Sequence, residues 1–353
     1  MYDQKTKTIT SRALKRNRHL YVSDQGDITD LNTTIWRGDK TARRWVKINI
    51  MAGRPKFTLI TRADSLRLDK NDLLVKTGTR VDRISGEAFS EAHESMRRPS
   101  GPSTTIDGWR AENRTAVKAL SASMGQDMSL PLLHTVSIGP HGSNTVQAYA
   151  TDRFTATSAI LDTVSKPVQF TSIVPGVIVR ELAVAPAWHL TVWEDHSMAE
   201  FCDTGVRIQR RNVIGTYPEV HSLFPEGESS NQAALTVNPA PLARVLRGLH
   251  ASYSFPAGLS MDGRLAADGS GTLKPEGMIE SKTVGETKTW VGFNSGYMAR
   301  LLRSVTDLGQ VRIAWSPDWK PIQVWVSDRI RMIIMPTRDG GDSFPVSDEI
   351  EVS

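Results

Sequence analysis

The sequence predicts an α+β protein in which repeated blocks each pack two helices on antiparallel sheet. Segments such as 45–50 alternate apolar and polar residues, which is the period of a half-buried strand. Segments such as 112–124 and 239–249 repeat apolar residues every three to four positions, which is the period of a helix with one buried face. Helical and strand segments recur in the same order, and this recurrence indicates duplicated domains.

The last two blocks repeat each other at a nearly constant spacing. Pro218 and Pro336 end corresponding strand regions and lie 118 positions apart, and the helix starts at Pro175 and Asn294 lie 119 positions apart. Pro175 suits a first helical position, and Asn294 suits an N-cap. Solenoid repeats have about 20–50 residues, so this longer period predicts whole duplicated domains.

These patterns divide the chain into four predicted segments. Residues 103–228 and 229–338 form two domains with the repeated order, and residues 339–353 form an acidic tail. A stretch rich in Arg, Pro, Ser and Gly at 97–103 predicts a linker. Residues 1–102, which include most of this linker, form a reduced or diverged N-terminal domain with a basic, flexible start.

The first third of the chain is its least regular and most basic part. We expect residues 1–35 to bury little surface, and we expect residues 57–60 to form a strand. Residues 1–110 hold 22 of the 43 Lys and Arg residues but only 13 of the 38 Asp and Glu residues. This excess favours contact with nucleic acid, although it also suits a basic tail that keeps the chain soluble.

Composition and motifs exclude several other classes of protein. No apolar run approaches the roughly 18 residues of a membrane helix, and we expect no membrane partner. Cys202 is the single cysteine, which excludes an intrachain disulfide and favours a reducing compartment. We find no phosphate-binding glycine loop, paired metal ligands or nucleophile elbow. The sequence therefore predicts no catalytic residue, no metal and no cofactor, and hence a protein that is not an enzyme.

Three stretches, taken in order, carry a family resemblance. Residues 147–156 read Gln-Ala-Tyr-Ala-Thr-Asp-Arg-Phe-Thr-Ala, residues 216–225 read Thr-Tyr-Pro-Glu-Val-His-Ser-Leu-Phe-Pro, and residues 333–338 read Ile-Ile-Met-Pro-Thr-Arg. Together they resemble the bacterial sliding clamp, the beta subunit of DNA polymerase III. Its matching motifs are Ala-Thr-Asp with a following Arg-Leu-Ala, then Phe-Pro-Asp-x-x-x-Leu-x-Pro, and finally Met-Pro-x-Arg-Leu. The resemblance covers about residues 106–338.

The resemblance implies a ring of DNA-clamp domains and a role in DNA replication. Clamps of this family carry three similar domains per chain, and two protomers enclose duplex DNA and tether the replicative polymerase. A protein of this kind would be a processivity factor that a clamp loader opens, and it would bind double-stranded DNA without sequence preference. It would form a homo-oligomer, a dimer if residues 1–102 are a true clamp domain and a trimer if they are not. We expect it in the cytoplasm of a bacterial cell, or of a cell infected by a phage that encodes it.

The resemblance also implies a pocket between the last two domains that holds short linear peptides of the polymerase and the clamp loader. Matched position by position, this pocket contains Leu133, Thr151, Arg153, Phe154, Ala156, Pro218, Ser222, Leu223, Phe255, Asn294, Tyr297, Ile333, Met335, Pro336 and Arg338. Apolar floor residues would bury the anchors of the peptide, and methionine would adapt to varied partners. The alternative interpretation of Phe154, Leu223 and Met335 is ordinary core packing.

A third implied site is a basic helix surface that faces DNA. Its members are Arg114, Lys118, Arg180, Arg244, Arg247, Arg300 and Arg303. On the last two helices, Arg side chains are predicted to point away from the core. Phosphate contact of this kind carries no sequence information and weakens with salt. The alternative is a solvated helix face.

Departures from the family pattern leave other functions open. Thr155-Ala156 stands where the family has Arg-Leu, and Ser222 stands where it has a basic residue. In residues 1–105 we find neither the opening helix nor the Thr-Asp stretch of a first clamp domain. One alternative is therefore a clamp-like paralogue that does not encircle DNA and binds clamp-interacting peptides as a regulator or decoy. Another is a basic DNA-binding protein that uses residues 1–50.

The acidic segment at the end of the sequence has a predicted regulatory role. Residues 339–353 contain five acidic residues and no basic residue. We expect this tail to lie over the adjacent pocket and to compete with partner peptides. The Asp of the first motif, Asp152, is expected to fix a turn by accepting hydrogen bonds from backbone N–H groups.

Overall fold

A computed structural model of the chain describes residues 4–14, 19–37, 40, 42–50, 54–91, 93–127, 129–224, 233–252, 257–260, 265–267, 270–273, 278–279, 290–316 and 320–337. The acidic tail and its predicted role over the pocket lie outside these residues. So do Phe255 and Arg338 of the predicted pocket.

The α-helices of the described residues are α1 Gln4–Ala13, α2 Arg54–Thr61, α3 Ala111–Ser123, α4 Gly176–Ala183, α5 Pro239–Ser252 and α6 Ser295–Ser304. Asn294 caps α6 as predicted, since its side-chain oxygen accepts a hydrogen bond from the backbone N–H of Tyr297 at 3.1 Å. Pro175 occupies the N-cap of α4. None of the described helices combines the length and apolar character needed to cross a lipid bilayer.

The strands of the first half are β1 His19–Ser23, β2 Ile28–Thr29, β3 Thr33–Trp36, β4 Trp45–Asn49, β5 Ser65–Asp69, β6 Asp72–Thr77, β7 Arg80–Ser85, β8 Glu87–Phe89, β9 Thr104–Asp107, β10 Thr135–Pro140, β11 Thr145–Thr151, β12 Thr155–Asp162 and β13 Ser172–Pro175. Those of the second half are β14 Trp188–Val192, β15 His196–Phe201, β16 Val206–Arg211, β17 Ala233–Val237, β18 Ala257–Leu259, β19 Leu265–Ala267, β20 Ser270–Leu273, β21 Met278–Ile279, β22 Val291–Phe293, β23 Val311–Trp315, β24 Ile322–Ser327 and β25 Ile330–Ile334. Short 3₁₀ turns occupy Glu94–Met96, Pro131–His134 and His221–Leu223.

The first of two compact units comprises residues 1–114, 137–146 and 162–216. Its main sheet has the strand order β8-β4-β1-β2-β3-β16-β15-β14-β9, and β5, β6 and β7 form a separate three-stranded sheet. Strands β1 and β4 are paired through five residues, from His19 opposite Asn49 to Ser23 opposite Trp45. The core of this unit includes the fully buried Trp188 and Phe201.

The expectation that residues 1–35 bury little surface is wrong. The segment contains helix α1 and strands β1 and β2 with most of β3, and Leu20, Val22, Ile28 and Ile35 are completely buried. Strand β1 is buried on both faces after its first residue, so it lacks the alternation that marks a half-buried strand.

The predicted strand at 57–60 is also wrong, because these residues lie in helix α2. Phe57 and Ile60 are both buried, and their spacing of three positions places them on one helix face. A short apolar run does not distinguish a strand from a buried helix. Thr61 lies at the end of α2 and donates a side-chain hydrogen bond to the carbonyl of Phe57 at 3.0 Å.

The second unit comprises residues 115–136, 147–161 and 217–353. Its main sheet contains β11, β12, β25, β24, β23, β17 and β21 as successive neighbours, and its second sheet has the order β20-β19-β18-β22. Helices α5 and α6 pack against each other. Leu301 and Leu302 of α6 are completely buried, as the periodicity of that helix predicts. The domain boundaries predicted at 102, 228 and 338 stay predictions.

Candidate functional site

The candidate site is built on a tight turn between β11 and β12. Asp152 Oδ1 accepts hydrogen bonds from the backbone N–H groups of Phe154 at 3.0 Å and Thr155 at 2.7 Å. Thr151 closes the other side, because its hydroxyl donates to the carbonyl of Thr155 at 2.8 Å. Arg153 has a φ of +81°, a left-handed conformation that costs a residue with a side chain free energy. The turn-fixing role predicted for Asp152 is confirmed, and the turn directs Arg153 and Phe154 outward.

A second turn of the same type lies in the first unit and corrects the statement that residues 1–105 lack a Thr-Asp stretch. Asp30 Oδ1 accepts from the N–H groups of Asn32 at 2.9 Å and Thr33 at 2.7 Å. The hydroxyl of Thr29 donates to the carbonyl of Thr33 at 3.0 Å, and Leu31 has a φ of +69°. The missing opening helix is present as well, as α1. The repeat was missed because the side chains after Asp30 differ from those after Asp152.

The strands that follow these two turns pair in the same register. Thr34 lies opposite Gln209, whereas Ala156 lies opposite Ile333. In the first unit the environment is polar: the Thr34 hydroxyl donates to the carbonyl of Ser95 at 2.5 Å. Gln209 also accepts from the indole N–H of a buried tryptophan at 2.7 Å and donates to the carbonyl of residue 97 at 3.0 Å.

The same positions in the second unit are apolar and form the floor of the candidate pocket. Ala156, Val220 and Ile333 are buried together, and Leu223 and Phe224 pack against them. Since a peptide anchor needs apolar surface rather than satisfied hydrogen bonds, this copy of the turn is the better suited to hold one.

Two short 3₁₀ turns, Pro131–His134 and His221–Leu223, supply the walls of the candidate pocket. The first is held against the end of α3, because the N–H of Gly125 donates to the carbonyl of Leu133 at 2.7 Å. A Cβ added to Gly125 would lie 3.0 Å from the Cβ of Leu133, so a glycine suits this approach. In the second, the N–H of Leu223 donates to the carbonyl of Val220 at 3.1 Å, and the Ser222 hydroxyl donates to the carbonyl of Glu219 at 3.1 Å.

These elements enclose a cavity of about 470 Å³, which we call the aliphatic cavity. Its lining residues are Leu130, Pro131, Leu132, Leu133, Thr151, Arg153, Pro218, Glu219, Val220 and Leu223. The volume falls within the range of small-ligand pockets, and the lining is mostly apolar with charge at the rim from Arg153 and Glu219.

A smaller cavity of about 230 Å³, the aromatic cavity, shares Leu130 and Leu133 with the aliphatic cavity. Its other lining residues are Gly125, Gln126, Asp127, Asp152, Phe154, Tyr297 and Arg300. The rings of Phe154 and Tyr297 stack with centroids 5.4 Å apart and planes 21° apart. Burial, followed by the charge of Asp152, raises the pKa of the Tyr297 phenol, so it stays protonated and can donate a hydrogen bond.

Core packing was the alternative interpretation of Phe154, Leu223 and Met335, and exposure argues against it for two of them. Phe154 is 52% exposed and Met335 is 37% exposed, although large apolar side chains of the core are almost fully buried. Leu223 is partly buried at the edge of the floor. Met335 lies beside the turn, because its N–H donates to the carbonyl of Phe154 at 2.8 Å. Exposed apolar residues around a cavity are typical of a binding surface.

The structure brings most of the predicted pocket residues together. Leu133, Thr151, Arg153, Pro218 and Leu223 line the aliphatic cavity, and Phe154 and Tyr297 line the aromatic cavity with Leu133. Ala156 and Ile333 lie beneath them. Ser222 is exposed on the turn at 221–223, Pro336 forms a bridge with Phe293, and Asn294 caps α6.

Sequence reasoning missed part of the lining. Leu130, Pro131 and Leu132 precede the one predicted member of their turn, and Asp127 and Arg300 line the aromatic cavity. The run Leu-Pro-Leu-Leu between a helix and a strand was an available signal, since three leucines around a proline need a surface to cover. Arg300 gave no such signal, because its place in the cavity depends on its contact with Asp152, which lies 148 positions away in the sequence.

The predicted DNA-facing residues are only partly free to face a ligand. Arg180, Arg244, Arg247 and Arg303 are exposed, although Arg180 also interacts with another group of the protein. The remaining three are engaged by protein groups as well. Arg114 donates to the carbonyls of residues 108 and 109, and Lys118 forms an ion pair with Asp307. Arg300 pairs with Asp152, so its side chain contacts the turn of the candidate pocket, and its DNA-facing role stays a prediction. Helix periodicity places a residue on a face, but it does not show which acidic partner the fold brings there.

A thiol and an imidazole also meet in the first unit. Cys202 Sγ lies 3.7 Å from His189 Nδ1, and His189 Nε2 lies 3.9 Å from Asp107 Oδ1. Burial first, and then the charge of Glu200, raises the pKa of the thiol. A nucleophilic cysteine needs the opposite shift, so this cluster does not support thiol chemistry. Within the described ranges no three His, Cys, Asp or Glu side chains converge as metal ligands.

The repeated blocks and their strand order define the class of fold. The chain has the α+β fold of the bacterial sliding clamps, which confirms the fold prediction. Solved structures similar to it include the DNA polymerase III beta subunit of Thermotoga maritima, with 16% identity, a TM-score of 0.70, and coverage of 95% of this chain and 96% of that chain. The beta chain of Streptococcus pneumoniae has 14% identity, a TM-score of 0.70, and coverage of 95% and 97%. The Bacillus subtilis sliding clamp has 14% identity, a TM-score of 0.69, and coverage of 95% and 96%.

The likeness is one of fold and extends beyond the motifs found in the sequence. Because it covers 95% of this chain, it takes in the first third as well as residues 106–338. By sequence alone, no protein-family model and no curated protein matches the chain.

Proposed function

We propose that this protein is a DNA sliding clamp, a non-enzymatic processivity factor that encircles duplex DNA and tethers a DNA polymerase. The observation that carries the proposal is the pair of adjoining cavities on the turn at 151–155, within a sliding-clamp fold. A short peptide with one aliphatic and one aromatic anchor matches these cavities. Its aliphatic side chain would enter the cavity above Val220 and Leu223, and its aromatic side chain would stack beside Phe154 and Tyr297.

The fold also supports a closed ring as the working form. A fold likeness over 95% of the chain favours three clamp domains per chain, and therefore a dimer rather than a trimer. Exposed Arg180, Arg244, Arg247 and Arg303 would attract phosphates without reading bases. Retention on DNA would then come from closure of the ring, and a loader would be needed to open it.

A plasmid-retention experiment tests encirclement. The protein is loaded by its host clamp loader onto a nicked circular plasmid, separated from free protein by gel filtration, and divided into two samples. One sample is cut once with a restriction enzyme. We expect the protein to remain on circles and to leave linear molecules, since a ring slides off an end. Equal retention on both forms would contradict a topological link.

A second candidate is a clamp-like paralogue that binds the same peptides without enclosing DNA. The observation in its favour is the engagement of Arg114, Lys118 and Arg300 by protein groups, which reduces the free positive charge of the helices. The native mass separates the two candidates. A ring gives two or three times the chain mass of 39.0 kDa at low micromolar concentration, and the paralogue gives a monomer.

A further inference from the structure

A third cavity of the second unit, about 370 Å³ in volume, lies between helices α5 and α6. We call it the interhelix cavity, and it is lined by Arg247, His250, Asn294, Gly296, Tyr297, Ala299, Arg300 and Arg303. Three of these residues are arginines and none is acidic. Its chemistry therefore differs from that of the apolar peptide cavities, and it favours an anion.

The arginines at the mouth are available to a ligand. Arg247 and Arg303 are exposed, and neither forms an ion pair with any residue in the described part of the chain. Arg300 is shared with the aromatic cavity, where its Nη2 binds Asp152. Its Nε is buried and has no hydrogen-bond partner among the described residues.

The cavity is also shaped by a close approach of the two helices. The imidazole of His250 on α5 lies directly against Gly296 on α6. A Cβ at Gly296 would stand 2.9 Å from His250 Cε1, closer than real side chains allow. Glycine at this position thus lets the ring sit beside the arginines, and any larger residue would push it away.

We propose that the interhelix cavity is a binding site for a single phosphate group, contributed either by the DNA backbone or by free phosphate. Planar guanidinium groups match a tetrahedral oxyanion with paired N–H donors, which makes arginine the preferred partner of phosphate. Arg247 and Arg303 bind the anion from the two helices, and His250 and Arg300 complete the lining of the site. The assignment to DNA rests on the proposed function, whereas the affinity for phosphate does not.

Arg244 provides a matched control. It lies three positions before Arg247 on α5 and is also exposed, but it does not line the cavity. A diffuse positive surface would use Arg244 and Arg247 alike, because long-range attraction depends on charge and not on position in a cavity. A built site would depend on Arg247 and Arg303 and be indifferent to Arg244.

The first test is isothermal titration calorimetry of the full chain with inorganic phosphate, at fixed ionic strength. We expect saturable binding at one site, an affinity at least about tenfold lower in Arg247→Gln and Arg303→Gln, and a change below about twofold in Arg244→Gln. All three residues are exposed, so a thermal melt should show that the variants remain folded. Absence of saturable binding, or an equal loss in Arg244→Gln, would overturn the proposal.

The second test identifies the source of the phosphate by fluorescence anisotropy with a labelled 30-base-pair duplex. If DNA supplies it, Arg247→Gln and Arg303→Gln weaken duplex binding more than Arg244→Gln and each lowers the salt dependence by about one phosphate contact. Equal effects of all three variants, together with phosphate binding, assign the site to free phosphate. Failure of the clamp function would appear in the plasmid-retention experiment, which does not measure phosphate affinity.

Discussion

Arg300 of helix α6 donates a hydrogen bond to Asp152, the residue that fixes the turn of the candidate peptide pocket. It also donates to the hydroxyl of Thr155 at 3.3 Å, and its guanidinium lies 5.0 Å from the centre of the Tyr297 ring. The Asp152 side chain is 8% exposed and that of Arg300 is 26% exposed, so water screens the pair only partly. One ion pair therefore joins the turn, the aromatic stack and the interhelix cavity.

A double-mutant cycle measures this link. We expect Asp152→Asn and Arg300→Gln each to lower the free energy of unfolding by about 1–3 kcal/mol, because each leaves the remaining partner charged but without its opposite charge. The double variant should lose less than the sum, with a coupling of about 0.5–3 kcal/mol. Urea unfolding of the four proteins gives these values, and strict additivity would show that the pair does not interact.

Phe154 should contribute to peptide affinity much more than to stability. Because the Phe154 ring is half exposed and stacks on Tyr297, Phe154→Ala should lower the affinity for a labelled decapeptide ending in Leu-Phe by about tenfold. Fluorescence anisotropy measures the affinity. The control is Ile214→Ala, which removes a 99% exposed apolar side chain that does not line either pocket cavity. Equal affinity of the two variants would remove Phe154 from the site.

Gln209 should be essential to the polar junction of the first unit. It is buried and accepts a hydrogen bond from Trp36 Nε1 at 2.7 Å, so Gln209→Leu leaves a buried indole N–H unsatisfied. We expect a loss of about 1–3 kcal/mol in the free energy of unfolding, measured by urea titration. Trp36→Phe removes the indole N–H that Gln209→Leu would leave unsatisfied. Gln209→Leu should therefore cost less free energy in the Trp36→Phe variant than in the wild type. An unchanged cost would contradict this account.

Gly108 should tolerate no side chain. Its N–H donates to the carbonyl of Trp188 at 2.8 Å, and a Cβ would lie 2.2 Å from the Trp188 ring. Because that ring is fully buried, Gly108→Ala should cost several kcal/mol or prevent folding. Gly248→Ala is the control, since open space surrounds that position on α5 and alanine favours a helix by about 1 kcal/mol. Thermal melts compare the two, and a neutral Gly108→Ala would refute the packing argument.

Glu181 should make stability depend on pH. Burial raises the pKa of this carboxyl above its ordinary value, and Arg12, 3.2 Å away, offsets only part of the effect. A raised folded-state pKa gives stability that is complete below the unfolded pKa of about 4.3 and is lost as pH rises through the folded value. Glu181→Gln should therefore be more stable than wild type at pH 8, with the difference disappearing below about pH 4. Thermal melts across this range measure it, and a wild type that is more stable at pH 8 would reverse the sign.

The regular elements of the last two blocks were predictable because their signals are local. Helices α3 to α6 occupy the predicted positions, and Asn294 caps α6 as its type suggests. Strand β1 and helix α2 were not predictable by periodicity, since β1 is buried on both faces and α2 presents only a short apolar run. The Thr29-Asp30 turn escaped notice because hydrogen bonds to backbone N–H groups define it, and the residues that follow are free to vary.

The sequence by itself determined the α+β class, the duplicated order of elements and the three motifs that resemble a sliding clamp, because periodicity, caps and turn residues act over a few positions. Only the tertiary structure decided which residues share a cavity. Arg300 and Asp152 are 148 positions apart, and the pairing of β12 with β25 places Ala156 against Ile333. Contacts of this kind depend on how sheets and helices close on one another. That is why the pocket floor was found with its family motif, whereas the role of Arg300 and the interhelix cavity emerged only from the fold.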